Sequence, residues 1–246
     1  INGFTITNPL GSFGIYAQGR NNTTVKYNII TDIGNSTSGS APSYGVAIEM
    51  GAANISNVDI LHNCISNIRG GANTALTGAA AKANNGSGGG IGVGFSGANF
   101  DVSNLTISGN RISAVTASTN DFAEGGKGAY GVIVNVGASV GAVGKAISPL
   151  IQSNDITDLE GLWAHGIGLE GETPGASVLN NFIDDLTDHK GNTDAIGVLI
   201  EDNAGAGTIG IHDNSFTKMA LGIKNNMPAL VDAMCNWYGG TNAATV

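Results

Sequence analysis

Two short phrases alternate along this chain from end to end, and their alternation limits the possible folds more than any other feature. The first is Gly, then Ile or Val, then a variable residue, then usually an apolar one. It occurs as GIYA at Gly14, GVAI at Gly45, GIGV at Gly90, GVIV at Gly131, GIGL at Gly166, GVLI at Gly197 and a degraded GIKN at Gly222. The second is an Asn followed two positions later by an apolar residue. It occurs at Asn28, Asn63, Asn110, Asn154, Asn181, Asn214 and Asn236, and the opening INGFTITN supplies one more through Asn2 and Phe4. The chain therefore reads as beginning inside a repeat.

The intervals between successive Asn positions are 26, 35, 47, 44, 27, 33 and 22. A stack of helical repeats keeps a steadier period and shows apolar residues every three to four positions. Here each phrase alternates with period two and is rich in Ile and Val, which predicts short strands. Two or three strands per turn, Gly-rich corners and loops of variable length predict a parallel β-helix of about seven to eight coils, stacked at the ordinary interstrand distance of about 4.8 Å. The expectation is an all-β solenoid over residues 1–246 as a single domain, part of a longer chain or a subunit that stacks on others.

Aligning the phrases assigns columns. The first inward column is Ile15, Val46, Ile91, Val132, Ile167, Val198 and Ile223, and the second is Ala17, Ile48, Val93, Val134, Leu169, Ile200 and Asn225. A third, two after each Asn, is Phe4, Ile30, Ile65, Ile112, Ile156, Ile183, Phe216 and Tyr238. The Asn rungs are expected to hydrogen-bond to one another and to occupy a left-handed bend that β-branched residues avoid. The next column, Thr5, Thr31, Ser66, Ser113, Thr157, Asp184 and Thr217, reads as a hydroxyl ladder.

With these residues in view, the chain resembles right-handed, single-stranded parallel β-helices of the pectate-lyase-like group. INGFTITN and MCNWYGG resemble phrases in repetitive bacterial and archaeal cell-surface β-helix proteins, in which an Asn-Trp-Trp-Gly phrase stands near a coil end; Tyr238 replaces the second Trp here. The resemblance implies an extracellular or cell-surface setting. It implies no activity, because the fold carries lyases, hydrolases, adhesins and spacers alike.

Composition narrows the partners. The chain carries a net charge of −9 with ten Lys plus Arg, which argues against nucleic acid and against unbridged polyanions. No apolar run is long enough to span a membrane. Cys64 and Cys235 lie far apart in sequence, so a disulfide requires the fold to bring them together.

The outward positions of the Gly phrase are where chemistry is expected. Glu170 falls above Glu201 on adjacent coils, with Asp202 alongside, and paired carboxylates at roughly 5 Å suit glycoside hydrolysis. The competing reading is an acidic column on a solvated face, neutralised by Lys224 as an ordinary surface pair. His165 shares a column with Phe13, Tyr44, Tyr130, Ile196 and Leu221, a composition that favours packing; Tyr16, Tyr44, His165 and Lys224 form the candidate binding set. Asp158, Asp184, Asp185 and Asp188 cluster at one corner, with Asp194 in the same patch, as a candidate Ca²⁺ site, against the alternative of a solvated corner without the spacing of a calcium loop. No other cofactor is expected. Two long loops, 69–90 and 116–128, leave one corner on neighbouring coils and form a candidate binding wall.

The sequence thus points first to a non-enzymatic extracellular structural or adhesion module whose partners are neighbouring β-helix modules or copies of itself, stacked head to tail. The alternatives are a polysaccharide hydrolase or lyase using Glu170 and Glu201, and a glycan-binding adhesin. The scarcity of basic residues on the Gly-phrase face counts against a uronate lyase, whose substrate carboxylates need neutralising.

Overall fold

The computed structural model describes residues 1–34, 41–71, 86–94, 99–118, 127–136, 144–189, 191, 193–201, 207–227 and 230–239. Within them the strands pair in parallel into three sheets, so the chain is a parallel β-helix. One sheet contains the Asn phrases, in the order Thr5–Asn8, Ile29–Gly34, Cys64–Arg69, Arg111–Thr116, Asp155–Gly161, Phe182–Asp188, Ser215–Thr217 and Trp237–Gly239. The second contains the Gly phrases: Phe13–Gln18, Ser43–Glu49, Gly88–Val93, Gly128–Val134, Trp163–Leu169, Ala195–Ile200 and Leu221–Asn225. The third runs through Thr23–Lys26, Ile55–Leu61, Val102–Ser108, Leu150–Gln152, Ser177–Leu179, Ile209–His212 and Val231–Asp232. No helix among the described residues is long and apolar enough to cross a membrane.

The two inward columns of the Gly sheet pair in the expected register, Ile15 through Ile223 and Ala17 through Asn225. They face the Ile30–Ile65–Ile112–Ile156–Ile183–Phe216 column of the Asn sheet in one continuous apolar core. The third sheet adds an inward column that phrase alignment did not assign: Val25, Ile60, Ile107, Ile151, Val178 and Ile211. Removing each such side chain from water contributes roughly 1.5–3 kcal/mol.

The core also explains why each Gly phrase begins with glycine. A Cβ on Gly131 would press into Ile156 and lie 2.5 Å from the Gly166 carbonyl oxygen, and the same kind of contact recurs at Gly14, Gly45, Gly90, Gly166 and Gly197. The glycine lets the Gly sheet turn tightly over the large residue of the Asn sheet. Gly131→Ala is expected to destabilise the fold by about 2–3 kcal/mol, as overpacking against backbone does. Chemical denaturation of that variant beside Gly168→Ala, whose Cβ would meet nothing nearer than 3.4 Å, checks this.

The Asn rungs form the expected ladder, fully buried from Asn28 to Asn214. Each Nδ2 donates to the Oδ1 of the next rung at 2.9–3.0 Å, from Asn28 through Asn63, Asn110, Asn154, Asn181 and Asn214 to Asn236. The same Oδ1 accepts the backbone N–H of the rung before it. The second Nδ2 proton goes to a carbonyl of the third sheet, such as Val25 for Asn63 and Ile107 for Asn154. Every polar atom of an interior rung is thereby paired, which buried amides require.

Two sequence assignments are corrected. The left-handed residue is not the rung Asn but the one before it: Tyr27, His62, Gly109, Ser153, Asn180, Asp213 and Cys235 all have φ between 53° and 66°. That bend turns the chain from the third sheet into the Asn sheet and frees the Asn to point inward. The first coil is also displaced by two residues. Phe4, not Asn2, donates its N–H to Asn28 Oδ1; Ile6 aligns with Ile30 and Thr7 with Thr31, while Phe4 is exposed. A two-residue slip keeps every side chain on the same face, so period-two patterning could not detect it.

Candidate functional site

The outer face of the Gly sheet carries an open cleft of about 340 Å³. Strands Gly128–Val134, Trp163–Leu169, Ala195–Ile200 and Leu221–Asn225 supply it, and its chemistry comes from Tyr130, Trp163, His165, Glu170, Asp194, Glu201 and Lys224. Backbone hydrogen bonds from Glu170 N to Val134 O and from Glu201 N to Leu169 O, both 3.0 Å, continue the sheet ladder through the two glutamates. Their Cα atoms are therefore one strand spacing apart, about 4.8 Å.

The Glu170 carboxylate folds back over its own strand. Asn135 Nδ2 donates to its Oε2 at 3.3 Å, and its Oε1 lies 3.7 Å from His165 Nδ1. His165 is buried, stands edge-on to the Tyr130 ring at 5.5 Å between centroids, and its Nδ1 makes no hydrogen bond. Trp163 Nε1 donates to Tyr130 Oη at 2.9 Å, which fixes both rings at one wall. On the other side Lys224 Nζ approaches Asp194 Oδ1 at 3.5 Å.

Beside the cleft, Tyr44, Ala47, Tyr130 and Ile133 form a second buried cluster on the outer face, with Phe13 and Trp163 packed against it. Burial pushes the Tyr44 and Tyr130 phenols well above the usual tyrosine range, and the Glu170 charge adds to it. Both phenols keep their protons in the native state at pH values where an unfolded tyrosine ionises. Their contribution to stability is complete below about pH 10, the ordinary phenol value, and is lost as pH rises beyond it. Absorbance titration at 295 nm is expected to show these two ionising together with unfolding rather than ahead of it.

The structure brings four of the predicted residues together: Glu170, Glu201, His165 and Lys224. It separates two. Tyr16 lies four strands away along the sheet, about 19 Å at the interstrand spacing, and its hydroxyl donates to Glu49 Oε2 at 2.8 Å. Tyr44 is buried in the apolar cluster and presents no ring face to a ligand, because the outer face of this sheet is itself covered there. Asp202 and most of loops 69–90 and 116–128 lie outside the described residues; the stems of the two loops are neighbours, Arg69 pairing with Thr116.

The four aspartates of the acidic corner take separate places in the fold. Among the described residues no three His, Cys, Asp or Glu side chains are placed to hold an ion together. Asp158 and Asp185 occupy a second left-handed bend of the Asn sheet, with φ of 57° and 58°. Asp184 accepts from the Thr217 hydroxyl and pairs with Lys218 Nζ at 3.2 Å. Asp188 turns inward to accept the Asp194 backbone N–H. Cys64 and Cys235 are free and exposed.

Tyr130 and Trp163 were not predicted as cleft residues, and Asp194 was placed with the acidic corner. Tyr130 shares the His165 column and was legible there as a neighbour, but its company of Phe13, Tyr44 and Ile196 reads as packing. Asp194 immediately precedes Ala195, in register with Trp163 and Gly128, so this position holds a different kind of residue on each coil.

No protein-family model and no curated protein matches the chain. Among solved structures it is similar to the crystal structure of an alginate lyase from Paenibacillus sp. str. FPU-7, at 12% sequence identity and a TM-score of 0.37, covering 98% of this chain and 88% of that one.

Proposed function

We propose that the cleft holds a stretch of polysaccharide and that Glu170 and Glu201 cleave a glycosidic bond in it. One observation supports this above the others: the two glutamates, one strand spacing apart, open into a shared cleft with Trp163 and His165 instead of lying on a flat, solvated face. Trp163, only partly buried, offers ring surface for a sugar, and the carboxylates offer an acid and a base to either side of the bond. Hydrolysis is favoured over elimination from a uronate. The cation lining the cleft is Lys224, and its amine is already turned to Asp194. A polymeric substrate places the work outside the cell. Reducing-end assays across neutral, acidic and amino glycans test the reading; a panel without turnover removes it.

A second reading keeps the cleft without the chemistry: a surface or adhesion module that binds glycan and stacks on further β-helix modules or on copies of itself. The unbroken Asn ladder favours it, since an amide file of this kind continues naturally into another coil. Glycan binding without turnover, together with association that grows with concentration in sedimentation velocity, is its expected signature.

A further inference from the structure

A directed chain of hydrogen bonds ends on one of the two glutamates. The indole N–H of Trp163 can only donate, and it gives its proton to Tyr130 Oη at 2.9 Å. The single phenolic proton of Tyr130 is left to point the other way, and the hydroxyl donates it to the Glu170 carboxylate. Asn135 Nδ2, from just beyond the strand that carries Tyr130, donates to Glu170 Oε2 at 3.3 Å. Tyr130 is 7% exposed and the Glu170 side chain 14%, so bulk water competes little for these contacts.

The two donors suit Glu170 to one role. A carboxyl group meets them best when its oxygens carry no proton, and bonds to a charged acceptor are the strong ones. A general acid must instead hold a proton and aim it at the glycosidic oxygen. Tyr130 is equally constrained. Burial and the Glu170 charge push its phenol well above the usual tyrosine range, so it keeps its proton and acts as a donor, not as a base. Its ring is also fixed in place, edge-on to the buried His165 at 5.5 Å between centroids.

We propose that Tyr130 is a positioning residue that holds Glu170 as the general base of the cleft, leaving Glu201 on the next coil as the general acid. The assignment rests on the polysaccharide reading above and divides the two roles which that reading leaves open. Glu201 gives its proton to the glycosidic oxygen as the bond from that oxygen to the anomeric carbon breaks. A water oxygen forms the new bond to the anomeric carbon, and the water proton passes to Glu170. The two carboxyl groups then exchange protons with solvent and return to their starting states. A carboxylate has about four acceptor positions, so the water finds one beside the two donors.

Steady-state kinetics of the full chain on 4-nitrophenyl and methyl glycosides of glucose, galactose and N-acetylglucosamine oligomers tests it, because the two kinds of leaving group differ in their need for an acid. Tyr130→Phe is expected to lower kcat about ten- to hundredfold with KM held within about twofold, since one charge-assisted bond that orients the base is lost. The loss should be the same on both kinds of glycoside, and Glu170→Gln should likewise lose activity equally on both. Glu201→Gln should lose far more on the methyl glycosides than on the nitrophenyl ones, whose leaving group departs without a proton. Full kcat in Tyr130→Phe, a loss confined to KM, or the leaving-group dependence appearing in Glu170→Gln overturns the assignment, while hydrolysis by the parent chain keeps the polysaccharide reading. No turnover of any glycoside by the parent chain overturns both. The two glutamate variants decide the roles even where Tyr130→Phe fails to fold, which melting curves reveal.

Discussion

Glu170→Gln is expected to lower polysaccharide cleavage by about 10²–10⁴-fold, the range that separates a working general acid or base from its amide. The substitution keeps shape and keeps an acceptor for Asn135 Nδ2, so the sheet and the cleft should persist. It removes the charge beside His165 and the proton-transferring group itself. Glu201→Gln should show a loss of similar order, because neither carboxylate can take both roles in one turnover. Reducing-end release measured with each variant, beside melting temperatures that remain close to the parent's, separates chemistry from folding. A variant that retains full activity removes Glu170 from the mechanism, whatever the fold does.

Asn154→Ala is expected to be among the most damaging single changes in the core, about 4 kcal/mol, equivalent to a melting temperature lower by roughly 8–16 °C for a chain of this size. Four hydrogen bonds vanish with the side chain. Asn110 N and Asn110 Nδ2 lose their acceptor, the Ile107 carbonyl loses its donor, and Asn181 Oδ1 loses one of two donors. These groups are buried, with no water to replace the amide, so the cost of orphaned donors is added to the cost of lost bonds. Asn57→Ala supplies the contrast. Asn57 belongs to a short exposed ladder with Asn22 and Asn104, where solvent can take over its bonds, so the loss there should be about 1–2 kcal/mol, set mainly by its left-handed φ of 57°. Thermal or urea denaturation of the two variants side by side measures the difference.

The cleft was half legible beforehand, and the reason is geometric. Glu170 and Glu201 stand at equal distances from their phrase glycines, so alignment alone put them on adjacent strands. His165 and Lys224 came with the same frame. Tyr130 did not stand out, because an aromatic in a column with Phe13 and Tyr44 is equally well explained by packing, and Tyr44 is indeed buried. Tyr16, equally exposed on paper, proved to be four strands, about 19 Å, from the strand of His165. A column fixes which face a residue occupies and says nothing about where along the stack the surface folds inward. The acidic corner shows the same limit from the other side. Local density of Asp in the sequence suggested convergence, whereas strand geometry sends Asp184, Asp185 and Asp188 outward, into a bend and inward in turn.

Sequence by itself determined the parallel stacking, the file of asparagines and three of the four apolar columns, because these recur in every coil and a period-two pattern is readable wherever it repeats. It could not determine the first coil, where a slip of two residues preserves every facing, nor the bend residues, whose side chains share no chemistry and are related only by their φ. Tertiary structure alone decided that Glu170 leans toward His165 rather than toward Glu201, that Trp163 and Tyr130 close one wall, and that Asp194 meets Lys224. Those relations depend on side-chain direction and on turns that occur once, and a feature that occurs once leaves no period to read.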